Sequence, residues 1–371
     1  MNLPIHLIIR TTLRRQMRGV TLIELMISLT IGLLIIAGIG YAYLGSRQSF
    51  RSQDALSRMQ EGARTAFELM DKDIRMAGFR GCPPNSAANG DINILSNPNT
   101  WYKNLIDQPL IGYEKTDENQ AWSAFPTGVT DVVGSVINGD ALTILHASTE
   151  QSFIIQAHDA GAYQFTLSSD SNIKPGRILI AAESDCSRVA VFQNSDNTED
   201  DDIVTHSSGA ANAHLGSPSP PDTSYTLYTF TANSRIFPLS AATYYIGRNT
   251  DNEPSLYRAT LSASGGNPVT VPEELIEGVQ DMQIVYGMDT NAPSCKETSK
   301  VVEYHTADDI DAGEWCKVIA IRISLLMVSR QDEQGITTEP QTYTFNGGTN
   351  TPDDRLLRKT FTTTIAVKNR L

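Results

Sequence analysis

Arg18-Gly19-Val20-Thr21-Leu22-Ile23-Glu24-Leu25-Met26-Ile27-Ser28-Leu29-Thr30-Ile31-Gly32-Leu33-Leu34-Ile35-Ile36-Ala37-Gly38-Ile39-Gly40-Tyr41 is an apolar run with one internal charge, Glu24. A carboxylate in hydrocarbon costs about 3 kcal/mol on insertion scales, so it is best tolerated near the interface or beside a cation. Cutting the chain between Gly19 and Val20 would supply that cation, a new α-amine four residues before Glu24. The run extends to about Gly45, roughly 25 residues, which at about 1.5 Å per residue spans a bilayer core of about 30 Å. Arg10, Arg14, Arg15 and Arg18 precede it and no acid does, as the positive-inside rule asks of a membrane anchor. An ordinary secretory signal carries a small-residue cleavage site after its apolar core; here the glycine comes before it. Met1 and Met17 are both open as starts, the second leaving a leader of residues 17–19.

From Ser46 to Ala77 charges enter, and Leu56, Met59, Ala63, Phe67, Met70 and Ile74 recur at threes and fours, which predicts an amphipathic continuation of the same helix. Gly32, Gly38 and Gly40 each weaken a helix by about 1 kcal/mol relative to alanine, so this stretch either melts locally or packs closely against another helix. At Gly78-Phe79-Arg80-Gly81-Cys82-Pro83-Pro84 the helix must stop. Beyond it, 142–147, 152–157, 163–168, 177–182, 188–193, 225–231 and 243–248 read as short strands. In Val318–Arg330, Ile319, Ile321, Ile323, Leu325 and Met327 alternate with Ala320, Arg322, Ser324 and Leu326, a period of two that predicts one buried face. Phe361–Lys368 reads as a closing strand, and residues 195–224, rich in Asp, Ser, Asn, Gly and Pro, as a long flexible loop. The predicted class is α+β: a long N-terminal α-helix, membrane half plus amphipathic half, packed on an antiparallel β-sheet head with long loops. Its divisions are 1–19 (leader), 20–45 (transmembrane half), 46–81 (amphipathic half) and 82–371 (head).

The net charge of −13, or −17 once the four arginines of residues 1–19 are gone, argues against nucleic acid as a partner, because phosphate binding needs a basic surface. Four cysteines suit an oxidising compartment, and no two stand in Cys-x-x-Cys spacing. Of the three complete pairings, Cys295 with Cys316 and Cys82 with Cys186 are expected. The first closes a short loop leading into the strand at Val318, and the second ties the helix end to the early sheet. The acidic stretches 195–202 and 308–314 lack the Asp-x-Asp-x-Asp-Gly spacing that wraps calcium and read as solvated loops, so no metal site or cofactor is expected. Six scattered histidines, with no Gly-x-Ser-x-Gly, His-Glu-x-x-His or phosphate-binding loop, give no basis for an enzyme.

The stretch Gly19-Val20-Thr21-Leu22-Ile23-Glu24-Leu25-Met26 resembles the class III signal of type IV prepilins and pseudopilins. That resemblance implies cleavage by prepilin peptidase after Gly19, N-methylation of Val20, and pairing of Glu24 with the terminal amine of a neighbouring subunit. Val20 stands where the family usually has phenylalanine. Residues 71–82, 275–287 and 358–370 further resemble the signatures of PilW-type minor pilins. The resemblance implies a single-pass protein of the inner membrane with a periplasmic head, incorporated into the pilus. Its partners would be other minor pilins, the main pilin and in some systems a large tip adhesin, and its function would be to prime pilus assembly for motility or adhesion. Two alternatives stay open: a J-type minor pseudopilin of type II secretion, although those are usually much shorter, and an adhesive or ligand-binding head.

Overall fold

The computed structural model of the chain describes residues 19–83, 91–96, 101–106, 108–115, 129, 139–197, 202–213, 215–217, 226–292, 300–330, 335–337 and 339–368. They divide into two compact units between Gln53 and Asp54. One helix, α1 (Leu22–Met76), contributes to both.

In the first unit α1 runs unbroken through Gly32, Gly38 and Gly40, and a Cβ at any of them would meet nothing within 4 Å. Val20, Leu22 and the large apolar side chains up to Phe50 are exposed, and the segment is long and apolar enough to cross a membrane.

In the second unit the predicted stripe is real. Met59, Ala63, Met70 and Ile74 are buried, and Leu56 and Phe67 are partly so. The helix ends at Met76, short of the boundary at 81, because Gly78 turns left-handed (φ 79°) and donates its N–H to Leu145 O at 3.0 Å. A residue with positive φ cannot continue an α-helix, and glycine takes that conformation at least strain.

The strands follow in chain order. The first are β1 (Ile92–Asn93), β2 (Leu110–Tyr113), β3 (Ala141–Ala147), β4 (Phe153–Asp159), β5 (Gln164–Leu167), β6 (Ile178–Ala182), β7 (Val189–Gln193) and β8 (Ile203–Thr205). The small pair β9 (Gly216–Ser217) and β10 (Thr226–Leu227) precedes β11 (Arg235–Arg248), β12 (Pro254–Ser264) and β13 (Asn267–Glu277). The chain then forms β14 (Val279–Met288), β15 (Glu303–His305), β16 (Val318–Val328), β17 (Tyr343–Phe345), β18 (Gly348–Asn350) and β19 (Arg358–Ala366).

Strand β11 organises the larger, 11-stranded sheet: residues 235–238 pair with β6 and β4, and residues 239–248 with β3 and β12. Pro238 sits at the change of partners, where a missing N–H is least damaging to a ladder. This proline explains why the pattern predicts only 243–248 of a strand that starts eight residues earlier. A four-stranded sheet runs in the order β15-β14-β16-β19. The stripe of α1 shares one core with Met282 and Ile284 of β14 and with Ile321, Ile323, Leu325 and Met327 of β16. A Cβ at Gly62 would lie 3.2 Å from Ile276 Cγ2 and 3.3 Å from Met327 Cε, so helix and sheet meet closely there. The fold is α+β, with a mostly antiparallel head.

Three readings need correction. Residues 225–231 form no continuous strand: only Thr226–Leu227 pairs, and the Phe230 N–H goes instead to His158 Nδ1 at 3.0 Å. The 195–224 segment is not simply a loop. Strand β8 lies within it, His206 and Asn212 are buried, and the Asn212 side chain bonds both the N–H and the C=O of Gln193 at 2.8 and 2.9 Å, standing in for a strand partner. In β16 both faces are buried towards the ends, because it is a central strand; Ala320, Leu326 and Val328 are buried as well as the predicted series.

Candidate assembly site

The N-terminal site follows from a local cap. Thr21 precedes the first helical residue; its Oγ1 accepts from the Glu24 N–H at 3.3 Å, and its carbonyl accepts from the Leu25 N–H at 3.1 Å. Thr-x-x-Glu is the spacing of a capping box, and it places the Glu24 carboxylate in the first turn, where the helix dipole favours negative charge. Ser28 Oγ donates to Glu24 O at 2.7 Å, while the Glu24 side chain is exposed and has no hydrogen bond or ion pair among the described residues. Gly19 and Val20 lie exposed just outside the helix.

In the head, the structure brings the three signature segments together. Residues 71–82 finish α1, 275–287 cover all but the last residue of β14 and 358–370 include β19, and Ile74, Ile284 and Ile365 meet in one core. Asp73, on the buried side of α1, accepts a 2.7 Å hydrogen bond from the Tyr244 hydroxyl. Arg358 is 5% exposed and joins the other two segments. Its Nε donates to Gln280 Oε1 at 2.8 Å, its Nη1 to Asp354 Oδ1 at 2.8 Å, and its backbone N–H to Gln341 Oε1 at 2.6 Å. Sequence reasoning missed Asp73 and Arg358. For Asp73 the signal was an acid in register with the apolar stripe.

A group of carboxylates was also missed. Asp140 accepts from the Lys115 and Ile284 N–H groups at 3.2 and 2.7 Å, pinning β3 to β14. Burial, with the Glu114 charge nearby, pushes its carboxyl up to about 8, and burial pushes Asp281 up to about 6. Among the described residues no group of three or more His, Cys, Asp or Glu side chains is arranged to hold a metal. In the stretch 308–314, Asp309 accepts from Thr306 Oγ1 at 2.9 Å and Glu314 pairs with Lys317 at 2.5 Å. Residues 198–201 of the other acidic stretch lie outside the described residues.

Cys82 and Cys186 form a disulfide with Cα atoms 5.7 Å apart, fastening the segment after α1 to the β6–β7 turn. Cys316 is also disulfide-bonded. Cys295 lies outside the described residues, and its pairing with Cys316 is a proposal.

Residues 14–40 match the prokaryotic N-terminal methylation motif, and residues 243–369 match the type IV pilus-assembly protein W (PilW) family. These matches, which together cover less than half of the chain, are consistent with a type IV pilin. No curated protein and no solved structure matches the chain. The matched methylation motif contains Gly19, Val20 and Glu24 and opens the apolar helix, which fits a membrane-anchored pilin. The PilW match runs from Thr243 in β11 through β19, and so includes Tyr244, Gln280 and Arg358. It points to a structural part in pilus assembly.

Proposed function

We propose that this pilin is a minor subunit that loses residues 1–19 to prepilin peptidase, inserts through residues 20–45, and joins a minor-pilin complex that primes type IV pilus assembly at the inner membrane. Residues 46–81 link that anchor to a periplasmic head, residues 82–371, and the protein then enters the pilus. It acts by binding other minor pilins and the main pilin. One observation carries the reading: a capped, exposed apolar helix holds a carboxylate in its first turn with no partner among the described residues. The α-amine of a neighbouring subunit, exposed by cleavage before Val20, answers that charge. An intramembrane acid calls for such a partner.

The test joins processing to assembly. Intact-mass measurement from cells with active prepilin peptidase should show a chain beginning at methylated Val20, and Gly19→Lys should retain the leader. Glu24→Ala should leave head stability unchanged yet sharply reduce piliation and cross-linking to other minor pilins. A mature protein that keeps its leader, or normal piliation and cross-linking in Glu24→Ala, would overturn the proposal.

A further inference from the structure

A cleft of about 240 Å³ opens where the turn 172–174 leads into β6, beside β11 and the end of β12. Its floor is apolar, made by Ile173, Pro238 and Ala263. Its wall carries two cations, Lys174 and Arg177. The Arg177 guanidinium is mostly withdrawn from solvent, donating from Nη1 to Leu261 O at 2.7 Å and from Nη2 to Leu239 O at 3.4 Å. Those carbonyls satisfy donors without neutralising the charge. Burial lowers the Arg177 pKa, and no carboxylate acts against that shift.

Neither Arg177 nor Lys174 forms an ion pair among the described residues, in a chain that carries 42 acids against 29 Lys and Arg. A partly buried arginine is ordinarily answered by a carboxylate, because an isolated buried charge is costly. With acids abundant elsewhere and none paired here among the described residues, the answering group is one that comes from outside. A guanidinium and an ammonium lining one cleft suit a carboxylate. The rest of the lining narrows the ligand further. Gln151, Asn172 and Ser262 make no side-chain hydrogen bond among the described residues and offer donors and acceptors suited to hydroxyl groups. The apolar floor suits the C–H face of a ring, and the volume is that of a single ring rather than an extended chain.

We propose that this cleft binds a carboxylate-bearing monosaccharide unit, the acid held by Arg177 and Lys174 and the ring lying on Ile173, Pro238 and Ala263. The site is independent of the assembly function and would give the pilin a contact with acidic glycans.

The full-length protein in detergent micelles should be titrated with glucuronate, glucose and acetate by calorimetry. Saturable glucuronate binding is expected, with glucose and acetate each at least about tenfold weaker, since each lacks one half of the recognition. Lys174→Gln alters an exposed side chain with no bond of its own, so it should preserve the melting temperature and weaken glucuronate binding about tenfold; a charge-assisted hydrogen bond is worth about that much. Arg177→Lys should weaken binding by a similar factor. Absence of saturable glucuronate binding, equal binding of glucose or acetate, or undiminished binding by folded Lys174→Gln would overturn the assignment.

Discussion

The Tyr244 hydroxyl donates to Asp73 Oδ2 at 2.7 Å across the contact between α1 and β11, and both residues are buried. Burial opposes ionisation of Asp73, yet the nearby His146, the Tyr244 hydrogen bond and the charge of Arg258 hold its carboxyl below the usual range. Only the tyrosine is within hydrogen-bond distance, since His146 Nε2 stands 3.7 Å from Oδ1. Tyr244→Phe and Asp73→Ala should each destabilise the head by about 1–3 kcal/mol, because each leaves a buried polar group without its partner. Urea denaturation of both singles and the double should give a coupling energy of about 1 kcal/mol or more; strict additivity would refute the link. The depressed folded pKa means that Asp73 contributes its full stability above the unfolded value and loses it as pH falls through the folded one.

Tyr286 makes the opposite case. Its ring is fully buried, edge-on to Trp315 at 4.9 Å, and its hydroxyl has no hydrogen-bond partner among the described residues. Tyr286→Phe should therefore be neutral or stabilising, whereas Tyr244→Phe is not. The same ring leaves no room at Gly112, where an added Cβ would sit 1.9 Å from the hydroxyl oxygen. Gly112→Ala should lower stability by about 2 kcal/mol or more through overpacking. Thermal melts of the three variants would contradict this if Tyr286→Phe proved the most damaging.

A histidine pair gives the head an acid-sensitive element. His158 Nδ1 accepts from the Phe230 N–H at 3.0 Å, so its proton is on Nε2, which donates to His206 Nε2 at 3.0 Å and leaves the His206 proton on an unpartnered Nδ1. Burial lowers His158 to about 4, and burial with the neighbouring His158 lowers His206 to about 3. The unfolded chain takes up these protons near pH 6.5 and the folded one does not, so stability falls as pH drops from about 6.5 towards 4. Each histidine adds a slope of up to about 1.4 kcal/mol per pH unit. His206→Phe, among Tyr163, Phe165 and Phe192, should remove about half of it. Taking the difference between wild type and variant cancels carboxylates such as Asp140, whose raised pKa acts with the opposite sign. Parallel pH curves for the two proteins would sink the idea.

The disulfide Cys82–Cys186 spans 104 residues of sequence. Closing a loop of about 100 residues stabilises by up to about 4.7 kcal/mol in the chain-entropy account, so the Cys82→Ser/Cys186→Ser double variant should melt well below wild type. Peptide mapping without reductant tests the remaining pair: a Cys295–Cys316 peptide is expected, and a Cys82–Cys295 peptide would show the assignment to be wrong.

Local signals carried the sequence reading where local physics decides structure. Thr21 and Glu24 stand at capping spacing, the stripe from Met59 to Ile74 repeats at helical period, and Gly78 stops the helix, all within a few residues of one another. The β12–β13 hairpin was legible too, through Gly265-Gly266 at its turn, both with positive φ, but its flanking strands alternate weakly and were passed over. Strand β11 was half hidden because Pro238 resembles a strand end unless the partners on each side of it are known.

The sequence by itself determined the long apolar helix and the sheet-rich head, because each depends on contacts between near neighbours or on a local apolar pattern. Only the tertiary structure decided that Asp73 meets Tyr244, that Arg358 reaches Gln280, that His158 faces His206, and that Arg177 has no carboxylate partner among the described residues. Most of these partners lie tens to hundreds of residues apart. A polar side chain's partner, or its lack of one, is fixed by which distant strands the hydrophobic core brings together, and no local spacing records that.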